Sequence, residues 1–387
     1  MRILHVIPSI GPLRGGPSQA VVDMCRGLAR AGMDVTLVTT DDNGPGHLSV
    51  PLGQPVEQDG YTVFYFRRTT RGYTFSWPLT TWLVRHIGDY DFVHAHAVFS
   101  YAPLLAAFLA HRKGIPYTIT PHGLLLIQGF KSRKVWAKRF SYAFIEKTAL
   151  NRATFIHVTS TQEAHRLRAL KVYSPIGIIY FGIDTPGCGN GNRIDVRCLA
   201  PTCDASAVLL FLGRFHPIKG LDLLLPAFAQ ALKQAPGIVL ALAGDGDADY
   251  KAWMEAEIAR LGIGERVIWL GFLTGQEKWA ALASSDVVVV PSYSESFGMV
   301  VVEAMACGKP VILSDQVAIH EEVASAGAGL VVPCAVERLA EAILELACDA
   351  ELRKSMGQKG RALVNESFSP DWMSRRMLEL YESAVMS

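Results

Sequence analysis

A chain of 387 residues, half of them hydrophobic and 19% charged, is longer than one hydrophobic core usually supports and too apolar for disorder, so two compact domains are expected. Its 37 basic and 36 acidic side chains nearly cancel, which excludes a global field that would gather nucleic acid. No run reaches the roughly 18 apolar residues of a membrane-spanning helix, and the short apolar start of MRILHVIPS reads as a buried strand rather than a signal peptide. Seven cysteines without a CxxC pair point to reduced thiols and a cytoplasmic protein.

In chain order, the first half alternates short β-branched runs with longer amphipathic ones. ILHVI is followed by a helix over 18–31, then DVTLVTT, TVFYF, FVHAH, a helix over 102–112 and YTITP. The second half repeats the rhythm: VLLFLG, a helix over 221–234, IVLALAG, a helix over 249–261, VIWLG, a helix over 276–283, DVVVVPS, a helix over 299–307 and PVILS. Such βαβ alternation predicts α/β architecture with two Rossmann-like, doubly wound parallel-sheet domains. The first spans 1–185 and the second 207–370, with the Gly-, Asn- and Pro-rich segment 186–206 as linker or loop. A last amphipathic helix over 371–387 follows the breaker Pro370 and could pack on either domain.

The sharpest chemical signal is Glu295-Ser-Phe-Gly-Met-Val-Val-Val-Glu303, where two carboxylates straddle a strand, a turn and a helix N-terminus. Gly298 lets the backbone turn, and the amides of Phe297, Gly298, Met299 and Val300 can face a phosphate or a hydroxyl. Helical side chains lean toward the N-terminus, so Glu303 can reach the same ligand, although an isolated pair of this kind is also compatible with a dipole partner and a solvated face. Gly213-Arg214-Phe-His-Pro-Ile-Lys219-Gly220 places two cations on the loop after a parallel strand, where they face a ligand crevice or merely decorate the surface. His122 stands in a Pro-His-Gly turn after a strand, and Gly15 and Gly16 form a glycine turn after the first strand.

Together, Glu-x7-Glu, GR-x4-KG, the early GG-P loop and the PHG tripeptide resemble the retaining GT-B glycosyltransferases of family 4, the glycosyl transferases group 1, along nearly the whole chain. The resemblance implies two domains facing each other across a cleft that holds a nucleotide-diphosphate sugar, with UDP-glucose as the type of donor. It implies that Arg214 and Lys219 bind the diphosphate, Glu295 and the following amides the sugar, Glu303 the ribose, and that His122 approaches the sugar. Gly244 would belong to a turn near the diphosphate, Gly271 and Phe272 to the nucleobase contact, and Gly15 and Gly16 to a close backbone approach. Where the family often continues Gly244's turn with Pro, this chain has Asp247. No metal or other cofactor is expected, since Arg214 and Lys219 supply the positive charge that a DxD site would hold, despite the formal DxD of Asp245 and Asp247.

His94 and His96 share one face of FVHAH, and no third ligand is spaced to complete a metal site. The stretch 130–140, FKSRKVWAKRF, suits either anionic lipid or an ordinary helix face. Peripheral contact with the inner face of a membrane, a lipid-linked glycan acceptor and a place in envelope or exopolysaccharide synthesis are therefore expectations. Two alternatives remain at this point, a sugar-nucleotide epimerase of similar fold and a nucleotide-sugar-binding protein without turnover. A dinucleotide-dependent oxidoreductase is disfavoured because the first glycine loop lacks GxGxxG, despite Asp41 at the end of the second strand.

Overall fold

A computed structural model describes residues 1–14, 16–70, 72–125, 141–183, 196 and 205–386. The chain forms two compact units, one of residues 1–184 with 367–387 and one of residues 185–366.

In the first unit the strands are β1 (Arg2–Ser9), β2 (Asp34–Thr40), β3 (Asp42–Asn43), β4 (Gly46–His47), β5 (Pro55–Gln58), β6 (Tyr61–Phe66), β7 (Phe92–His96), β8 (Tyr117–Thr120), β9 (Phe155–Val158) and β10 (Ile176–Ile178). Eight of them make one sheet in the order β10-β9-β8-β7-β1-β2-β6-β5, parallel except for the edge pair of β5 and β6, while β3 and β4 form a separate small ladder. Every residue of β7 is buried, as a central parallel strand covered on both faces requires. The chain runs outward from β1 toward β2 on one side and from β7 toward β10 on the other, so the topological switch lies between β1 and β7.

The helix Pro370–Met386 packs within this first unit, which settles the choice its sequence left open. It buries Met373, Met377, Tyr381 and Ala384 along one stripe. Its first turns press on the helix Gly16–Arg30 so closely that a Cβ on Gly27 would lie 2.5 Å from the Ser374 hydroxyl oxygen. Tyr381, fully buried, reaches the sheet, with its ring centroid 4.5 Å from that of Phe92.

The second unit holds β11 (Ala207–Leu212), β12 (Ile238–Ala243), β13 (Val267–Gly271), β14 (Val287–Val290), β15 (Val311–Ser314) and β16 (Gly329–Val332). They form a wholly parallel sheet in the order β13-β12-β11-β14-β15-β16, the doubly wound arrangement that places a ligand crevice at the carboxyl ends of β11 and β14. All six residues of IVLALA in β12 are buried, and helices such as Leu221–Leu232 and Val336–Cys348 cover the sheet with Leu223, Leu224, Phe228, Leu339 and Ile343. Helix limits fall within two residues of those read from periodicity: Ala248–Leu261, Gly275–Ser284 and Met299–Ala306.

Candidate functional site

The switch point of the second unit is built by two loops that meet at short range. Gly220 ends the loop after β11 at a φ of 72°, and a Cβ there would stand 2.0 Å from the Pro291 carbonyl oxygen beyond β14. Only glycine permits that approach. The amide of Tyr293 donates to the Ile218 carbonyl at 2.8 Å, which locks the loops together. The Lys219 ammonium, carried on the first loop, consequently forms an ion pair with the Glu295 carboxylate of the second, 76 residues away in sequence. Glu295 is itself held by its backbone, for its amide donates to the Gln316 carbonyl and its own carbonyl accepts from the Ala318 amide.

Immediately beyond, Gly298 takes a φ of 93° as the residue before the helix Met299–Ala306. A Cβ there would lie 2.9 Å from the Val317 side chain, so both the turn and the packing demand glycine. The amides at the start of this helix have no acceptor one turn earlier and carry the positive end of its dipole. Phe297 is buried, whereas Met299 and Val300 are half-buried.

Glu303 is no solvated face residue: it is only 6% exposed and accepts from the Lys278 ammonium at 2.7 Å. Burial raises its carboxyl above the usual carboxylate range, and Lys278 works in the opposite direction. Lys278 lies on the helix Gly275–Ser284 and was not singled out from the sequence, where it is an ordinary helical lysine.

The remaining residues expected in the second unit also gather at the carboxyl ends of its strands. Arg214 is exposed one residue from Phe215, whose amide donates to the Asp245 carbonyl at 2.9 Å, so the loops after β11 and β12 are zipped together. The amide of Gly244 in turn donates to the Gly271 carbonyl at 2.7 Å, bringing in the end of β13. Phe272 follows with 62% of its surface exposed. His216 lies beside this group, its imidazole held low by burial and then by the charges of Arg214 and Lys219. Asp247 spends its carboxylate as a helix cap, accepting from the Asp249 amide at 3.0 Å, and the departure from Pro at this position thereby has a structural use.

In the first unit, His122 follows β8 at a φ of 54°, a left-handed conformation that a non-glycine residue adopts at a cost. Ala97 and Phe99, after the neighbouring β7, share that feature with φ of 77° and 58°. Three such residues at the carboxyl edge of adjacent strands mark a place where backbone geometry has been held against local preference. His122 is buried, and its turn is anchored by the Gly123 amide, which donates to Glu163 at 2.7 Å. Burial pushes Glu163, and likewise Glu146, up to about 7 despite the amides that each receives. Gly16 opens the helix Gly16–Arg30 and is exposed, while Gly15 lies outside the described residues, as does the stretch 130–140. Asp41 is consumed locally: although burial pushes its carboxyl upward, bonds from the Arg68 amide, His47 and Arg67 prevail and hold it below the usual range. A ribose-binding carboxylate of the dinucleotide type would need those positions free.

The histidines correct one reading. A third imidazole does join His94 and His96, because β1 lies beside β7 and pairs His5 with His94 in register. The three rings offer nitrogens within 4.8 Å of one another. Yet both nitrogens of His94 are already engaged, Nδ1 with the Tyr381 hydroxyl and Nε2 with the Thr120 hydroxyl, each at 2.6 Å. A metal ion there would have to displace one of these bonds.

Two family models match this chain. Residues 203–363 match the glycosyl transferases group 1, and residues 15–181 match the glycosyl transferase 4-like domain, so the two together span most of the sequence. The chain belongs to the group 1 glycosyl transferases. Among relatives, this glycosyltransferase is 27% identical to a D-inositol 3-phosphate glycosyltransferase of Jonesia denitrificans, over 99% of this chain and 95% of that one. It is 29% identical to the enzyme of the same name from Mycobacteroides abscessus, over 96% and 85% of the two chains. Among solved structures, it resembles the sucrose-phosphate synthase of Thermosynechococcus elongatus with a TM-score of 0.78 at 23% identity, covering 99% of both chains. Anabaena HepE, solved with UDP and glucose, gives a TM-score of 0.78 at 22% identity, covering 99% of this chain and 100% of that one. The fold of this glycosyltransferase is of the GT-B class. Among its described residues, no helix is long and apolar enough to cross a membrane.

Proposed function

We propose that this glycosyltransferase moves a sugar from a UDP-sugar, UDP-glucose being the first donor to try, to a hydroxyl acceptor with retention at the anomeric carbon. The observation that carries the reading is the cation and carboxylate pair of Lys219 and Glu295 at the switch point of the second unit, beside the amides that begin the helix Met299–Ala306. As the glycosidic bond breaks, negative charge grows on the diphosphate oxygens. Arg214, Lys219 and the amides of Gly298, Met299 and Val300 would stabilise that charge, each contributing on the order of 3 kcal/mol in the transition state.

Binding of the diphosphate would draw Lys219 toward phosphate and release Glu295 to accept from sugar hydroxyls. Glu303, kept in place by Lys278, would receive the ribose hydroxyls, and the exposed ring of Phe272, with Gly271, would meet the base. His122 is assigned to the transferred sugar, and Gly15, Gly16 and Gly244 to close backbone approaches. Retention by attack from the leaving-group face, assisted by a leaving-group oxygen, suits these residues, since Glu295 is assigned to the sugar hydroxyls rather than to covalent attack. Two cations at the diphosphate make a divalent ion unnecessary for charge neutralisation.

HepE, solved with UDP-glucose, supports a UDP-sugar donor. Relatives named for D-inositol 3-phosphate make a phosphorylated polyol the first soluble acceptor to test, and the basic, aromatic sequence 130–140 makes a lipid-linked envelope glycan the second, with the protein working from the cytoplasm. The test is a donor and acceptor screen read by UDP release with and without EDTA, followed by NMR of the product's anomeric proton. The expected result is an EDTA-insensitive product with the donor's anomeric configuration. An inverted product, or one formed only with a divalent ion, would contradict the mechanism.

A further inference from the structure

The five buried histidines of the first unit, His5, His94, His96, His122 and His157, form two hydrogen-bonded chains that differ in how they end. Burial keeps all five well below the usual imidazole range, so each ring is neutral near pH 7 and carries one N–H.

The first chain is anchored at a carbonyl, and that one fact assigns every proton in it. The Ile179 carbonyl can only accept, so His157 donates to it from Nε2, at 2.9 Å. The bare Nδ1 of His157 then accepts from the Thr120 hydroxyl at 2.8 Å. With its single proton spent, the Thr120 oxygen accepts from Nε2 of His94, and Nδ1 of His94 accepts from the Tyr381 hydroxyl. Nothing in this chain is left to choose.

The second chain has no such anchor. Nδ1 of His5 lies 2.9 Å from Nε2 of His96, and Nδ1 of His96 lies 3.2 Å from Nε2 of His122. At its two ends, Nε2 of His5 and Nδ1 of His122 are buried and have no hydrogen-bond partner among the described residues. Each of the two bonds needs one proton between its nitrogens, neither none nor two. Only two arrangements satisfy both bonds with neutral rings: all three imidazoles protonated on Nδ1, or all three on Nε2. Phe181 fixes the plane at the far end, its ring stacked on that of His122 with centroids 5.6 Å apart.

We propose that His96 and His5 are positioning residues for His122, binding the three rings into one shared tautomer so that Nδ1 of His122 meets a hydroxyl of the donor sugar with a fixed hydrogen-bonding character. The part concerning the sugar rests on the assignment of His122 under Proposed function; the shared tautomer does not. A buried nitrogen left open at a strained turn is costly unless a ligand completes it, and a sugar hydroxyl, able to donate or accept, completes either arrangement. His5 governs the outcome from two rings away because a change in its proton would force a change in both others.

The test is long-range proton–nitrogen NMR of the full-length protein carrying nitrogen-15 in its histidine rings, with signals assigned from single substitutions. His5, His96 and His122 are expected to show the same tautomer, and His94 and His157 the Nε2–H form. Opposite tautomers on His96 and His122 would overturn the proposal whatever the ligand. UDP-glucose, but not UDP alone, is expected to shift Nδ1 of His122. Matched tautomers with an Nδ1 unmoved by UDP-glucose would instead overturn the sugar assignment, and the positioning role with it. In His5→Phe, which keeps a ring in place, His122 is expected to show a mixture of tautomers and KM for the donor to rise about tenfold with kcat less affected. A single unchanged His122 tautomer in that folded variant would show that His5 has no hold on it and overturn the proposal.

Discussion

The two units meet the same topological problem with opposite chemistry. At the switch point of the second unit the groups are charged and paired: Lys219 with Glu295 and, nearby, Lys278 with Glu303. Beside the switch between β1 and β7 in the first unit they are neutral imidazoles, buried and bonded to one another. A charged site suits a leaving diphosphate, whose charge must be met at once by groups already in place. A neutral, hydrogen-bonding site suits hydroxyls, which need orientation rather than charge. On the proposed function, charge would be handled by the second unit and the orientation of hydroxyls by the first.

The largest effect that would break this comparison is on turnover. Lys219→Ala removes a cation from the proposed diphosphate site and is expected to lower kcat/KM by about a hundredfold, with the melting temperature nearly unchanged. Activity close to that of the unaltered protein would mean that charge in the second unit is not what drives departure of the leaving group.

A smaller effect sharpens the other half. The five histidines are held low in the folded protein, with His5 and His122 at about 3 and His157 at about 4, whereas in the unfolded chain they titrate near the ordinary value of 6.5. Below about pH 6.5 the unfolded chain therefore binds more protons, and each histidine withdraws up to about 1.4 kcal/mol of stability per pH unit. Glu146 and Glu163, raised to about 7, act in the opposite sense: their contribution is present at low pH and is lost as pH rises through 7. The burial of Glu303 adds to that opposing side. Five groups outweigh three, so urea midpoints are expected to fall between pH 6.5 and pH 5. A midpoint that holds or rises over that interval would show that the imidazoles are not kept neutral by burial.

Much of the second unit's site could be read in its sequence because the relevant residues lie on short loops after recognisable strands. The rule that such loops face the ligand crevice made Arg214, Lys219 and Glu295 candidates, and the resemblance to the glycosyltransferase family gave them their expected roles. Lys278 was missed because its partner depends on how the helix Gly275–Ser284 packs against Met299–Ala306, and no local pattern encodes that. The histidine chains were harder still. FVHAH displays His94 and His96, but that His5 stands beside them follows from β1 lying next to β7, and Tyr381 reaches His94 from 287 residues away. Strand order and the return of the last helix are global choices, made by which apolar faces can be covered together.

On the proposed mechanism, the donor diphosphate lies at the switch point of the second unit. A crystal structure of the protein soaked with UDP tests it most directly. The expected result is the diphosphate against Lys219, Arg214 and the amides of Gly298, Met299 and Val300, with the ribose at Glu303 and Glu295 released from its lysine. UDP bound anywhere else, with the Lys219 and Glu295 pair undisturbed, would contradict it.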